Sequence, residues 1–265
     1  MFVDKVAVVI GGSSGIGWST AQSFSQQGAT VVIAAAESES ALEARVQALD
    51  SPHRGWAMSC DVTDRRAVSD LFEHVGNRAG GVDIVVNCAG YHAMTPVFET
   101  NSTETDRLIG VNLIGGINVI QGAVQAMHGR GGVVVAVTST QSVLGEPGQA
   151  VYAATKAAIA HYIRSVTPEL RRTGIRVVGF APGAVDTPMV ESVSRPTTPE
   201  MSAWKERLET YDNSSPDGRF FLQPQEVASA ITFLASDGAK AFHGVNLVGD
   251  QGRTSALFGL PDIES

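Results

Sequence analysis

The residues best suited to chemistry in this chain are Ser139, Tyr152 and Lys156. Tyr152 and Lys156 are four residues apart, so on an α-helix the phenol and the ammonium lie on the same face. A cation beside a phenol favours the phenolate and lowers the pKa of the tyrosine, as proton transfer near neutral pH requires. The Ser139 hydroxyl could bind a carbonyl or alcohol oxygen at the same place. The trio therefore suggests proton transfer at a substrate oxygen, although a surface Tyr–Lys pair would show the same spacing.

The elements that must position this trio alternate between short β-branched runs and helical patterns. Strands are predicted at Val6–Ile10, Thr30–Ala34, Gly55–Cys60, Ile84–Asn87, Val133–Thr138, Arg176–Phe180 and Gly244–Val248. Helices are predicted near 15–27, 39–49, 64–79, 102–128, 150–173 and 224–236. Such alternation is typical of βαβ units that build a parallel sheet with helices on both faces. We predict an α/β fold in a single domain over residues 1–265.

Two features interrupt this pattern. Pro168 lies inside the helix predicted at 150–173, where it should kink the chain or end regular hydrogen bonding. The stretch 190–222 carries several prolines and a polar run, and an excursion of this length in a compact domain is usually functional. We interpret it as a substrate lid, with a disordered surface insertion as the alternative.

Composition excludes several classes of partner. The net charge is −8 and no long basic run is present, which argues against nucleic acid or an anionic membrane surface. The longest apolar runs are strand-sized, far below the ~20 residues of a membrane span. A strand pattern begins almost at the first residue and leaves no room for a signal peptide, so we expect a cytoplasmic protein. Cys60, Cys88 and six scattered histidines show no metal-ligand spacing, and no metal is predicted.

A glycine-rich loop follows the first predicted strand and leads directly into a helix. Its sequence runs Gly11-Gly12-Ser13-Ser14-Gly15-Ile16-Gly17. Glycines at such a point permit a tight turn and a close approach of the backbone to a pyrophosphate, which then lies at the positive end of the helix dipole. The position of the loop between strand and helix predicts a dinucleotide-binding site.

With these motifs in their order, the chain resembles the short-chain dehydrogenase/reductase family. The resemblance extends from about residue 3 to about residue 190 and resumes from about residue 216 to about residue 252. It is carried by Gly11/Gly15/Gly17, Asp61-Val62, Asn87-Cys88-Ala89-Gly90, Asn112, Ser139, Tyr152/Lys156 and Pro182-Gly183. It implies a single-domain Rossmann fold with a doubly wound, seven-stranded parallel sheet and an NAD(P)-dependent oxidoreductase. It also implies a homodimer or homotetramer.

The resemblance assigns site residues as well. Asn112, Ser139, Tyr152 and Lys156 would be catalytic, with Asn112 kinking its helix. The implied cofactor-binding residues are Gly11, Ser13, Ser14, Gly15, Ile16, Gly17, Ala35, Ala36, Asp61, Val62, Asn87, Ala89, Gly90, Tyr152, Lys156, Pro182, Gly183, Val185 and Thr187. For Asp61, an N-cap of the following helix is the structural alternative.

The choice between NAD and NADP should be made after the second strand, in Ala34-Ala35-Ala36-Glu37-Ser38. The aspartate typical of NAD users and the cation typical of NADP users are both missing there. The Glu37 carboxylate disfavours a nearby 2′-phosphate because like charges repel. The sequence therefore favours NAD, with Ser38 and Arg45 leaving an NADP mode open.

Substrate contacts are implied by position in the family's pocket. They are His92, Met94, Gln141, Leu144, Gln149, Met189 and Trp204, and Tyr91 lies beside them. No Arg or Lys is placed to pair with an anion, so we expect a partly apolar, medium-sized secondary alcohol or ketone. A non-catalytic dinucleotide sensor or scaffold and a cofactor-assisted isomerase are the alternatives to an alcohol dehydrogenase or ketoreductase.

Overall fold

The computed structural model describes residues 1–51, 54–99, 101–193 and 218–255, with the side chains of 191–193 excepted. Trp204 and most of the predicted lid at 190–222 lie outside these ranges.

Within these ranges seven parallel strands form one sheet, as predicted, and their order is β3-β2-β1-β4-β5-β6-β7. Each observed strand overlaps a predicted one. The strands are β1 (Val6–Ile10), β2 (Thr30–Ala35), β3 (Gly55–Ser59), β4 (Ile84–Asn87), β5 (Gly132–Val137), β6 (Ile175–Pro182) and β7 (Asn246–Gly249). The order reverses between β1 and β4, and a crevice at the carboxyl ends of the strands at such a point is where ligands bind in open α/β sheets.

Helices connect the strands and cover both faces of the sheet. They are α1 (Gly15–Gln26), α2 (Glu39–Gln47), α3 (Arg65–Ala79), α4 (Ser102–Leu108), α5 (Gly116–Ala126), α6 (Ala150–Val166), α7 (Pro188–Val193) and α8 (Pro224–Ala235). The central strands are apolar on both sides because both sides are buried. Val8 and Val85 belong to the core on one face, and Val9 and Val86 to the core on the other.

Two helices differ from the prediction. The helix predicted at 150–173 is shorter and ends at Val166, which confirms that Pro168 ends its regular hydrogen bonding, since proline cannot donate a helical hydrogen bond. The helix predicted at 102–128 is continuous from Ser102 to Ala126, but Ile109–Gly115 winds as a π-helix between α4 and α5. Short π-helical segments inside α-helices are rare and occur often at functional sites.

The stretch Ser102–Ala126 is also long and apolar enough to cross a membrane by length and composition. Core helices of globular proteins meet the same criteria. Here Val119, Ile120 and Ala123 belong to the core on one face of the sheet and Leu108 is buried as well, so packing accounts for the apolar composition.

Candidate active site

The polar side chains singled out above converge at the carboxyl end of the sheet. Strands β1, β4 and β5 end side by side there, with Ile10 paired to Asn87 and Asn87 paired to Ala136. The glycine-rich loop follows β1, and Ser139 follows β5. Because parallel strands present the same ends at one edge, residues distant in sequence become neighbours.

Lys156 is a buried cation beside this edge. Its side chain comes from α6, is 7% exposed, and donates from Nζ to the carbonyl oxygen of Val137 at 3.2 Å. The same nitrogen lies 3.6 Å from the point where a Cβ would project from Gly90. Burial lowers the pKa of the ammonium to about 8, because the charged form loses hydration.

Tyr152 does not have the lowered pKa that the sequence predicted. Burial raises the pKa of the phenol to about 12, a hydrogen bond with Ser139 lowers it, and the negative charge of Glu146 raises it. The expectation was wrong because the helical spacing shows which cation is near and not how much hydration the phenol loses. The phenol is therefore protonated at neutral pH in this structure.

Ser139 lies at the start of a turn that follows β5 and faces Tyr152. It precedes a short 3₁₀ helix, Thr140–Ser142, and its Oγ accepts a hydrogen bond from the backbone nitrogen of Gln141 at 3.1 Å. A serine at such a start satisfies a backbone donor and fixes its own rotamer. The hydroxyl also makes the hydrogen bond that lowers the pKa of the Tyr152 phenol, so the two groups are adjacent.

Asn112 lies in the π-helical segment and is 3% exposed. Its Oδ1 accepts from the backbone nitrogen of Tyr91 at 2.8 Å, and its Nδ2 donates to the carbonyl oxygen of Tyr91 at 2.8 Å. The same Nδ2 lies 3.3 Å from Oγ1 of Thr155. One amide thus ties the loop after β4 to α6, the helix that carries Tyr152 and Lys156.

A second polar cluster borders the Tyr152 ring. The His92 ring centroid lies 4.4 Å from that of Tyr152, and His92 Nε2 lies 2.8 Å from Oε1 of Gln149. The Gln149 Nε2 donates to a carboxylate oxygen of Glu146 at 2.9 Å. Burial lowers the pKa of His92 and raises that of Glu146, so the histidine is neutral at pH 7.

A groove runs along the carboxyl ends of β1 to β4, and its walls test whether a dinucleotide fits. No acidic residue occupies the first turn of α1, and the Ser14 side chain makes no capping bond there, so backbone N–H groups face the groove. A Cβ at Gly17 would overlap the carbonyl oxygen of Gly11, which packs the loop tightly on the helix. Gly11 itself has φ +73° and lies against the backbone of Ala89. These features match a pyrophosphate site.

Glu37 lies on the same groove, just past β2. Its Oε1 accepts a hydrogen bond from the Ser13 hydroxyl at 2.7 Å, and both residues line the groove. The carboxylate is thereby held beside the glycine-rich loop.

The sequence comparisons agree with this geometry. A family model described as enoyl-(acyl carrier protein) reductase matches residues 10–254. The chain is 36% identical to the 3-oxoacyl-[acyl-carrier-protein] reductase FabG of Thermotoga maritima, covering 88% of this chain and 91% of that protein. The chain belongs to the short-chain dehydrogenase/reductase family.

Other members of this short-chain dehydrogenase/reductase family match over nearly their whole length. The cis-4-hydroxycyclohexanecarboxylate dehydrogenase of Sinomonas cyclohexanicum is 34% identical, covering 96% of this chain and 98% of that protein. The meso-2,3-butanediol dehydrogenase of Serratia marcescens is 30% identical, covering 99% of both. The solved structure of gox2181 superposes with a TM-score of 0.86 at 29% identity, covering 96% of this chain and 97% of that chain.

Among the cofactor residues implied by the short-chain dehydrogenase/reductase resemblance, most line the groove. Those that do are Gly11, Ser13, Ser14, Gly15, Ile16, Gly17, Ala35, Ala36, Asp61, Val62, Ala89, Gly90 and Thr187. Asn87, Pro182, Gly183 and Val185 do not line it. Val185 is buried and bridges to Leu222, and the Asn87 side chain accepts from the nitrogen of Ala89 at 3.1 Å. Tyr152 and Lys156 adjoin the groove where it passes Gly90.

Asp61 is not the N-cap of the following helix. Its Oδ1 accepts from the nitrogen and the hydroxyl of Thr63, at 2.9 and 2.8 Å. Asp64 caps α3 instead, accepting from the nitrogen of Arg66 at 2.8 Å. The structural alternative for Asp61 is therefore wrong, and its side chain is positioned at the wall of the groove.

The implied substrate residues divide into two groups. His92 and Gln149 form the cluster beside Tyr152, and Gln141 follows Ser139 on its turn. Met94 packs against Gly148 in the segment that also contains Leu144, whereas Met189 lines the dinucleotide groove. Trp204 lies outside the described residues.

Sequence reasoning missed two residues that contact the site. Glu146 lies in an irregular Leu-Gly-Glu-Pro-Gly loop whose spacing suggests no chemistry, and only the packing of that loop brings it to Gln149. Arg107 lines the groove with its guanidinium 4.0 Å from the Tyr91 ring centroid. Arg107 lies among polar residues of α4, and nothing in that sequence pattern distinguishes it from a solvent-exposed arginine.

Proposed function

We propose that this protein is a single-domain, NAD-dependent ketoreductase or alcohol dehydrogenase acting on a partly apolar, medium-sized secondary alcohol or ketone. The observation that carries the proposal is the convergence of Ser139, Tyr152 and buried Lys156 beside a groove suited to a dinucleotide. A dinucleotide bound there would supply the hydride acceptor or donor.

The protein's own residues would handle the substrate oxygen and its proton. The phenol of Tyr152, protonated at neutral pH, can donate its proton to a carbonyl oxygen that is being reduced. Ser139 would hydrogen-bond the same oxygen and stabilise the negative charge that develops on it. Lys156, cationic at pH 7 and facing Gly90, would hold the ribose nearest the nicotinamide and favour the phenolate left after proton transfer. Asn112 would position Tyr91 and α6, and it would take no part in the proton transfer, which Tyr152 would carry out.

Glu37 supports NAD over NADP. Its carboxylate is held by Ser13 on the wall where the adenosine half of a dinucleotide would lie, beside Ala36 and in the groove that Asp61 also lines. A 2′-phosphate at this place would meet a fixed negative charge, whereas a ribose hydroxyl could donate to it. Arg107 lines the groove but lies over Tyr91, so it is already engaged in stacking.

Exposed apolar side chains support a homo-oligomer. Ile109 and Ile114 are 38% and 43% exposed on the helical stretch Ser102–Ala126, where a second copy of the chain would bury them. Phe233 on α8 and Val248 on β7 are 50% and 41% exposed and lie on another part of the surface, where a second contact would build a tetramer.

The function is tested by mixing the protein with NADH or NADPH and a panel of ketones and following absorbance of the reduced nicotinamide. We expect oxidation of NADH with at least part of the panel. Tyr152→Phe should lower kcat by roughly 100-fold or more, because general acid catalysis contributes about 10²–10⁴-fold. It should leave NADH binding within a few-fold of the parent, and Tyr162→Phe on the same helix is the matched control. Silence with every ketone and with the corresponding alcohols, or full activity of Tyr152→Phe, would refute the proposal.

A further inference from the structure

A set of four side chains beside the reacting residues offers a second place for the substrate to bind. This set, which we call the Glu146 network, comprises Glu146, Gln141, Gln149 and His92. Its members contact one another. Two of them also contact a reacting residue, since the His92 ring lies against the Tyr152 ring and the backbone nitrogen of Gln141 donates to Ser139 Oγ. No role in moving the hydride or the proton requires them.

Gln141 holds an acceptor that has no partner. The side chain is 6% exposed, and its Oε1 is buried without a hydrogen bond among the described residues. The hydrogen bond between Gln141 and Glu146 lowers the pKa of that carboxyl, which means that the amide nitrogen donates to the ionised carboxylate. The orphan atom is therefore the oxygen, and the amide cannot turn over without placing its oxygen against a carboxylate. A buried acceptor of this kind is costly unless a donor reaches it.

The other arm of the network also presents acceptors. Gln149 donates through Nε2 to Glu146, so its oxygen faces His92 and the His92 Nε2 must carry the proton. His92 is neutral because burial lowers its pKa, and its Nδ1 is left as an acceptor. Both arms thus favour a ligand that donates hydrogen bonds.

The charge around the network selects the kind of donor. Lys156 disfavours a second positive charge at His92, and Arg253 places another cation near Glu146. The Glu146 carboxylate already has Arg253 nearby and the amides of Gln141 and Gln149 as donors, so an ammonium group would add a third cation that this carboxylate does not balance, whereas a hydroxyl donates without a charge. A neutral hydroxyl therefore fits both the acceptors and the electrostatics.

We propose that the Glu146 network binds a hydroxyl group that the substrate carries next to its reacting carbon, so that the preferred substrates are α-hydroxy ketones and the corresponding vicinal diols. The adjacent carbon is indicated because Gln141 is two residues from Ser139, with its backbone nitrogen donating to Ser139 Oγ, and because His92 lies on the Tyr152 ring. This inference rests on the proposed ketoreductase function.

The wild-type protein provides the first test, and it depends on no variant. With saturating NADH, kcat/KM is measured for α-hydroxyacetophenone, for acetophenone and for α-aminoacetophenone. We expect the hydroxy ketone to exceed acetophenone by roughly 10–100-fold, because a site that hydrogen-bonds a substrate hydroxyl discriminates strongly against the analogue lacking it. The protonated amine should gain no such advantage. Equal kcat/KM for the hydroxy and unsubstituted ketones, or a preference for the amine, would overturn the inference.

Two variants locate the preference. Gln141→Leu should reduce the ratio of kcat/KM between the hydroxy ketone and acetophenone to near unity, and Glu146→Gln should reduce it by releasing the Gln141 amide. Gln225→Leu, on the exposed start of α8, is the matched control and should keep the wild-type ratio. A ratio that survives both network variants would refute the assignment. Reduction of acetophenone without a hydroxyl preference would refute this inference alone, whereas inactivity with all ketones and alcohols would refute the ketoreductase itself.

Discussion

The ammonium nitrogen of Lys156 lies 5.6 Å from the centroid of the Tyr152 ring. It is bonded to the carbonyl oxygen of Val137 at the end of β5, so the cation faces the floor of the groove as well as the phenol. The two residues share a helix face as their spacing requires, yet burial dominates the ionisation of both. Their relationship predicts how the free protein should respond to pH.

Lys156 should make the stability of the free protein rise with pH. Burial lowers its pKa from 10.5 to about 8, so between these values the unfolded chain binds a proton that the folded chain does not. Folding is then favoured as pH rises, by up to about 1.4 kcal/mol per pH unit from this group. Urea unfolding at roughly pH 7.5, 9 and 10.5, values chosen to span the window between the two pKa values, measures the effect.

Lys156→Met removes the titrating group and is the comparison for that experiment, because groups distant from Lys156 titrate alike in both proteins and cancel in the difference. The difference in unfolding free energy between wild type and variant should increase in favour of wild type as pH rises. A difference that is flat or falls across this window would contradict the burial of Lys156.

Glu37→Gln should raise the affinity for NADPH relative to NADH. Removing the carboxylate beside Ser13 removes the repulsion of a 2′-phosphate, which is worth about 1 kcal/mol at 4 Å in water and more at lower dielectric. We expect a relative gain on the order of tenfold that shrinks at high salt. Dinucleotide dissociation constants at two ionic strengths measure it, and Glu39→Gln on the neighbouring helix is the control. Tighter binding of NADPH by the wild type would show that the groove selects the other dinucleotide.

Asn112→Ala should destabilise the protein and loosen the loop after β4. The substitution leaves the backbone nitrogen and carbonyl oxygen of Tyr91 without their hydrogen-bond partner and removes the contact with Thr155. A buried polar group left without its partner costs about 1–3 kcal/mol. Urea unfolding measures the loss, and Asn77→Ala on the exposed face of α3 should leave stability nearly unchanged. Equal stability of the Asn112 variant and wild type would show that the amide does not hold this loop.

The order of elements was predictable because it depends on local patterns. Strands buried on both faces leave continuous apolar runs, and a glycine-rich loop between a strand and a helix, as from Gly11 to Gly17, is typical of a dinucleotide site. Pro168 was expected either to kink α6 or to end its regular hydrogen bonding, and the structure shows that the helix ends, at Val166. The role of Asp61 was left open between two structures, and the hydrogen bonds of Asp64 decide it.

Local patterns along the chain were enough to predict the fold, the family and the residues that meet at the end of the sheet, because strand patterns and motif spacing are local and cumulative. The ionisation of Tyr152 depends on the folded structure, since hydration is lost through packing by residues far away in the chain. The contact between Gln141 and Glu146 also depends on the folded structure. The loop that carries Glu146 packs against the segment after β4, where the nitrogen of Thr95 donates to the carbonyl oxygen of Gly148 at 2.7 Å. Spacing along a chain indicates which groups can meet, and burial determines what they do there.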